Sequence, residues 1–191
     1  MASLETNKII DNLLEVLPQS RYIHTLGVAY TATSLAMVFG ESIDKARLAG
    51  LLHDCAKAYS LDDMLEIAKD NNVNVTDLEY KSANLLHAKI GAVLAKIEYG
   101  VEDKSVLDAI MYHTTGKPAM TTLEKIIYIA DYIEPSRNKQ KRLELIRNTA
   151  FKDLDQTMLL ILEDTMDYLK ATNTDIDPLT EETYLFYKEN T

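Results

Sequence analysis

The chain has 191 residues, of which 47% are hydrophobic, enough for one well-packed domain. No apolar run approaches the roughly 18 residues of a membrane span, and the start "MASLETNKIIDN" has neither the basic nor the apolar region of a signal peptide, so a cytoplasmic protein is expected. A net charge of −10 disfavours general attraction to nucleic acid or anionic membrane, and the lone Cys55 excludes both an internal disulfide and a cysteine-rich zinc site; it reads as buried filler.

Six glycines, four prolines and almost no alternating apolar pattern predict an all-α protein. Leu4, Ile9, Ile10, Leu13, Leu14 and Leu17 recur at helical spacing and stop at Pro18. A second helix is expected from near Ser20 to Phe39, ended by Gly40, and a third is capped by Ser42 and carries Leu48, Leu51 and Leu52 toward His53 and Asp54. Ser60 and Asp63 have the spacing of a capping box for a fourth helix that fades at "NNVNV". The following helix is expected to be entered near His87 and closed by Gly100. After it come "DKSVLDAIMYH", ending at "TTGKP", and "TTLEKIIYIADYIEP", capped by Thr121 or Thr122. "NKQKRLELIRN", "DLDQTMLLILEDTMDYLKAT" and "LTEETYLFYKEN" complete the helical patterns. The whole is read as one domain over 1–191, with a core of about 18–137 on which the N-terminal helix and the C-terminal helices pack. The stretch from Met158 to Leu169 reads as core packing or a dimer surface, so a homodimer stays open.

All four histidines lie inside or at the end of helical segments with apolar neighbours: His24, His53, His87 and His113. One such histidine is ordinarily a core or capping residue. Four together point to a metal, because buried imidazoles without partners cost free energy and one ion satisfies several neutral ring nitrogens at once. Asp131 interrupts the apolar run "IIYIADYI", where a carboxylate needs a cation, several hydrogen bonds or a proton; a buried ion pair with an Arg or Lys is the alternative. His53 and Asp54 are neighbours whose side chains diverge by about 100° on a helix, so they are expected to reach two sides of a cluster, with Asp54 able to bridge two ions.

This ordered set, His24, then His53 with Asp54, then Asp131, resembles the HD superfamily of metal-dependent phosphohydrolases. His87 and His113 resemble the intervening histidines of its two-metal branch. "RYIHTLGVA", "LAGLLHDCAK", "HAKIGA", "AIMYHTTG" and "IIYIADYIEPSR" look like the bacterial symmetrical dinucleoside-tetraphosphatase (YqeK-like) family, from about Arg21 to Arg137, whereas "IDPLTEETYLFY" departs from the family's usual ending. The resemblance implies an HD-domain helical bundle and symmetrical cleavage of diadenosine tetraphosphate to two ADP. It implies one ion held by His24, His53, Asp54 and Asp131 and a second held by Asp54, His87 and His113. The family is linked to iron, and a histidine and carboxylate shell also suits manganese, zinc or cobalt. Two ions about 3.5 to 4 Å apart lower the pKa of a water and neutralise phosphoryl charge, for in-line attack on an inner phosphorus with ADP leaving.

Beside these candidates, Lys57, Arg21 and Arg137 lie within a helical turn of a ligand or in the turn after one, and are assigned to the tetraphosphate and its leaving group. Thr114 is a substrate-binding candidate beside His113, equally readable with Thr115 and Gly116 as a plain helix-ending turn. Tyr112 and Tyr132 are candidates to stack on adenine, Lys117 reads as a solvent cation, and the run "RNKQKR" reads as a solvated face apart from Arg137. Three competing readings remain: an iron enzyme that activates dioxygen, an HD phosphohydrolase for another nucleotide, and a non-catalytic nucleotide-binding module.

Overall fold

The computed structural model describes residues 2–191, with side chains from residue 7 onward. Ten α-helices and two short 3-10 turns make up its regular structure, with no strand among the described residues. In chain order the helices are α1 (Ala2–Val16), α2 (Gln19–Phe39), α3 (Ile43–Leu52), α4 (Leu61–Asp70), α5 (Ala83–Ile97) and α6 (Lys104–Met111). They are followed by α7 (Thr122–Ile133), α8 (Leu143–Ala150), α9 (Leu154–Ala171) and α10 (Pro178–Asn190). The 3-10 turns are Cys55–Ala58 and Glu79–Lys81. Leu4, expected on the apolar side of the first helix, lies outside the residues whose side chains are described; Leu13 and Leu17 are buried, and Leu14 is exposed.

Local chemistry sets the helix ends. Gly40 closes α2 in the left-handed region at φ 69, where a Cβ would be strained. Ser42 accepts from the Lys45 amide to start α3, and full capping boxes, Ser60 with Asp63 and Thr121 with Glu124, start α4 and α7. Two expected boundaries move. Helix α5 begins at Ala83, four residues before His87, and Ser82 ahead of it makes no side-chain cap. Helix α8 begins only at Leu143, because Arg142 turns inward, donating to Asp164, Glu163 and the Leu160 carbonyl of α9. The basic run is therefore not simply a solvated face.

The core is continuous. Helix α2 packs against α3 and α7, α6 bridges α3, α5 and α7, and α9 covers α7 and carries α8 and α10. Met158, Ile161, Leu162 and Met166 of α9 are buried, in accord with the core-packing reading. At Gly50 an added Cβ would lie 2.8 Å from the Ala29 Cα, so α3 meets α2 nearly backbone to backbone. That contact sets the distance between His24 on α2 and His53 just past α3.

Candidate active site

Helix α3 ends at Leu52, with His53 as its C-cap. Asp54 leaves helical geometry (φ −109, ψ 14) and the chain tightens into the 3-10 turn, Lys57 N–H donating to the Asp54 carbonyl at 2.9 Å. This departure has a consequence absent from an unbroken helix: the neighbouring side chains converge, His53 Nε2 lying 3.4 Å from Asp54 Oδ2. Gly91 of α5 lets the turn approach, since a Cβ there would meet the His53 carbonyl at 3.3 Å.

All six expected ligands meet at this place. Asp54 Oδ2 lies 3.6 Å from His24 Nε2 and 3.4 Å from His53 Nε2, while its Oδ1 lies 3.2 Å from His87 Nε2 and 3.8 Å from His113 Nε2. The two oxygens of one carboxylate thus face two different pairs of imidazoles. Asp131 Oδ1 closes the first group at 3.0 Å from His24 Nε2 and 4.0 Å from His53 Nε2. Two three-residue groups have ligand atoms close enough for one ion: His24, His53 and Asp131, and His53, Asp54 and His113. His53 thus lies within the span of both, where the expectation put it with the first alone.

The chemistry of this donor set fits a cation. Nδ1 of His53 and of His113 must each donate, because their partners at 2.7 Å are the Gly50 and Ile110 carbonyls, which only accept. In the neutral ring, Nε2 is then a bare lone pair aimed at the carboxylates. The Nε2 atoms of His87 and His113 are 3.0 Å apart and those of His24 and His53 are 3.4 Å apart, so ring nitrogens crowd one buried space. A metal ion turns that crowding into binding. Burial pushes the His87 pKa down to about 4, keeping that ring neutral, as a ligand must be. Burial pushes the Asp54 and Asp131 carboxyls up, but the facing imidazoles when protonated, joined at Asp131 by Arg137, outweigh it and hold both well below the ordinary carboxylate range.

Asp131 is less enclosed than its apolar flanks suggest. Its side chain is 26% exposed, and Arg137 pairs with it at 2.5 Å while donating Nε–H to its backbone carbonyl at 2.9 Å. The ion pair posed as an alternative to metal ligation is therefore present alongside the histidine contacts. Arg21 pairs with Asp54 Oδ2 at 2.7 Å.

A cavity of about 300 Å³ opens on the group, walled by the expected Arg21, Lys57, Thr114 and Arg137 and by Tyr128 and Tyr132. Lys57 donates to Asn84 at 3.1 Å, and burial lowers its pKa. The Thr114 hydroxyl lies 3.4 Å from His87 Nε2 and 3.3 Å from His113 Nε2, so it belongs to the site rather than only to a turn. Tyr132 lines the cavity, while the Tyr112 ring lies under Lys117 instead. Lys117 is no free solvent cation, since it also pairs with the buried Glu124 at 2.7 Å. A larger cavity, about 720 Å³, lies elsewhere, near α1, α3 and the α5 to α6 connection. Its wall carries Asp44, Glu98, Glu102 and Asp103 against Lys8 and Arg47, an acidic balance unsuited to a polyphosphate.

Sequence reasoning missed two residues. Glu134, buried at the end of α7, accepts from His24 Nδ1 at 3.0 Å and from the Ser136 amide at 2.7 Å; its sequence signal is a carboxylate placed immediately after an apolar helix and before Pro135. Burial opposes its ionisation, but Ser136 and His24 prevail and hold its pKa low. Asn84, in the first turn of α5, carries no distinguishing signal.

The sequence profile of the HD domain family matches residues 21–136. The chain belongs to the HD domain family. It is 42% identical over 171 residues to the symmetrical bis(5'-nucleosyl)-tetraphosphatase of Bacillus subtilis, covering 90% of this chain and 89% of that one. It is 41% identical to the protein of the same name in Staphylococcus aureus, covering 81% and 80%. Among solved structures, a Clostridium acetobutylicum protein titled a predicted HD superfamily hydrolase involved in NAD metabolism superposes with a TM-score of 0.93 at 39% identity, over 97% of this chain and 98% of that one. Like other HD proteins, this chain groups histidines and aspartates in a way consistent with divalent metal binding. No described helix is long and apolar enough to cross a membrane.

Proposed function

We propose that this HD protein is a metal-dependent hydrolase that cleaves diadenosine tetraphosphate, and related dinucleoside polyphosphates, symmetrically to two ADP, acting as one domain in the cytoplasm. The observation that carries the reading is the division of Asp54, one oxygen toward His24 and His53 and the other toward His87 and His113. It is the arrangement a carboxylate needs to be shared by two ions, and the B. subtilis and S. aureus relatives named for this reaction support the substrate.

His24, His53, Asp54 and Asp131 would hold one ion, and Asp54, His87 and His113 the other, with iron as the proposed metal of a shell that also suits manganese, cobalt or zinc. When bound, the ions supply Lewis-acid charge to the phosphoryl oxygens and acidify a water. The chain's own groups do the rest. Arg21 and Arg137, on the cavity wall, hold the tetraphosphate through planar guanidinium forks. Lys57 places a cation where negative charge grows on the departing ADP, and Asn84 fixes its ammonium. Thr114 offers a hydroxyl at the edge of the His87 and His113 pair for a phosphate oxygen or the attacking water. Water adds across the central P–O–P bridge, its oxygen to one inner phosphorus and its protons to solvent and to the bridging oxygen of the other half, giving two identical products.

The test is to measure bound metal in the purified protein and incubate it with diadenosine tetraphosphate under iron, manganese or chelator, beside Asp54→Ala. ADP as sole product, lost with chelator and in the variant, is the expected result. AMP with ATP would overturn symmetrical cleavage, and tight ADP binding without turnover would favour a regulatory nucleotide-binding module.

A further inference from the structure

A second cavity, about 270 Å³, opens on the other side of the metal-ligand group, against His24 rather than His87 and His113. Arg21 and Arg137 wall both cavities, and no other residue is common to the two. Small-molecule sites run from about 300 to 1,000 Å³, so each cavity has room for about one nucleotide and neither for a dinucleotide. A bond at the centre of a symmetrical substrate has equal halves on either side. The structure offers two nearly equal cavities on either side of two arginines.

We propose that the second cavity is the subsite for the far nucleotide half of the substrate, with Lys139 and Gln140 on its rim as its specific contacts; the inference rests on the dinucleotide reading above. The one carboxylate in its wall, Glu134, keeps its charge, but Arg137 Nε lies 3.8 Å from its Oε1 and the cations of the wall outnumber it. Lys139 adds a third cation to the two shared arginines. The two subsites differ in kind. The first offers Tyr128 and Tyr132, while no aromatic residue lines the second. The first half is held partly by its base. The second is held by phosphate and by polar contacts to the ribose, so the far nucleoside adds affinity while the enzyme discriminates poorly among bases at that end.

The experiment uses the metal-loaded full chain and two substrates: diadenosine tetraphosphate, cleaved to two ADP, and adenosine 5'-tetraphosphate, which lacks the far nucleoside and yields ADP and pyrophosphate. The KM of the wild type is expected to be several-fold higher for the truncated substrate. Lys139→Ala is expected to raise KM for diadenosine tetraphosphate about tenfold with kcat little changed, as for loss of one charge-assisted bond made equally in ground and transition states, and Lys139→Arg to restore it. Equal KM values for the two substrates, or a Lys139→Ala KM that stays at the wild-type value, would overturn the second subsite while leaving the activity intact. Wild-type enzyme producing no ADP from either substrate would overturn the underlying reading and the subsite with it.

Discussion

The two ends of the ligand group share one device, a carbonyl behind a histidine (Gly50 behind His53, Ile110 behind His113), and differ in how the other histidine is held. At the α2 and α7 end, His24 donates Nδ1–H to a buried carboxylate, Glu134, which is itself fixed by the Ser136 amide. At the α5 and α6 end, His113 donates to the Ile110 carbonyl near the end of α6, and His87 Nδ1 is buried with no partner among the described residues. A carboxylate behind an imidazole makes it a stronger donor to metal and locks its ring, whereas a carbonyl locks the ring with less added charge, and an unpartnered nitrogen does neither. The two proposed ions should therefore differ in affinity, the His24 end holding tighter.

Asp54 is the carboxylate whose two oxygens face the two ends, so its loss should have the largest effect. Asp54→Asn keeps the size and removes the charge. Turnover is expected to fall by about a thousandfold or more and bound metal to fall at both ends, measured by metal analysis and product chromatography. A variant that kept one full equivalent of metal would show that Asp54 is not shared. Glu134→Gln should act on one end only. We expect about a 10- to 100-fold loss of affinity in the tighter phase of a metal titration, the weaker phase holding its position. Gly27→Ala attacks the same support from behind, because a Cβ there would lie 2.6 Å from Glu134 Oε2. It should weaken the same phase by less than Glu134→Gln does and cost about 1 to 3 kcal/mol in stability, read by thermal denaturation. If both phases moved equally in either variant, the ends would not be independent.

The six candidate ligand positions stood out in the sequence because each is a polar group within or at the end of an apolar helical segment, a pattern with a free-energy cost that demands a cause. Glu134 did not, because it stands one residue beyond the helix end, where a carboxylate is ordinarily a solvated cap; only the folded chain shows His24 reaching back over more than a hundred residues to it. The spacing of His53 and Asp54 misled for a related reason. Helical periodicity applies only while the helix continues, and the chain leaves it at the residue in question. The start of α5 was missed because Ser82 caps with no side-chain bond, and the late start of α8 because Arg142 spends its donors on α9. Capped ends at Ser42, Ser60 and Gly40 match their expected positions, and Thr121 is one of the two caps expected for α7, because their chemistry is local.

The basic run supplies the last and smallest contrast, since it holds two arginines of the same kind with different neighbours. Arg137 lines both cavities and pairs with Asp131, so Arg137→Lys, which keeps the charge but loses the planar fork, should raise KM about tenfold. Arg142 pairs with Glu163 and Asp164 instead, with its side chain 34% exposed. Ion pairs at that exposure are screened by water, and Arg142→Ala should cost only about 1 kcal/mol or less in stability while KM and kcat hold. Its effect should shrink further as salt is raised, because the pairs it loses are the kind that salt weakens. A kinetic defect in Arg142→Ala as large as that in Arg137→Lys would mean that the run acts as one unit, and that its position near the cavities matters more than which side chain faces them.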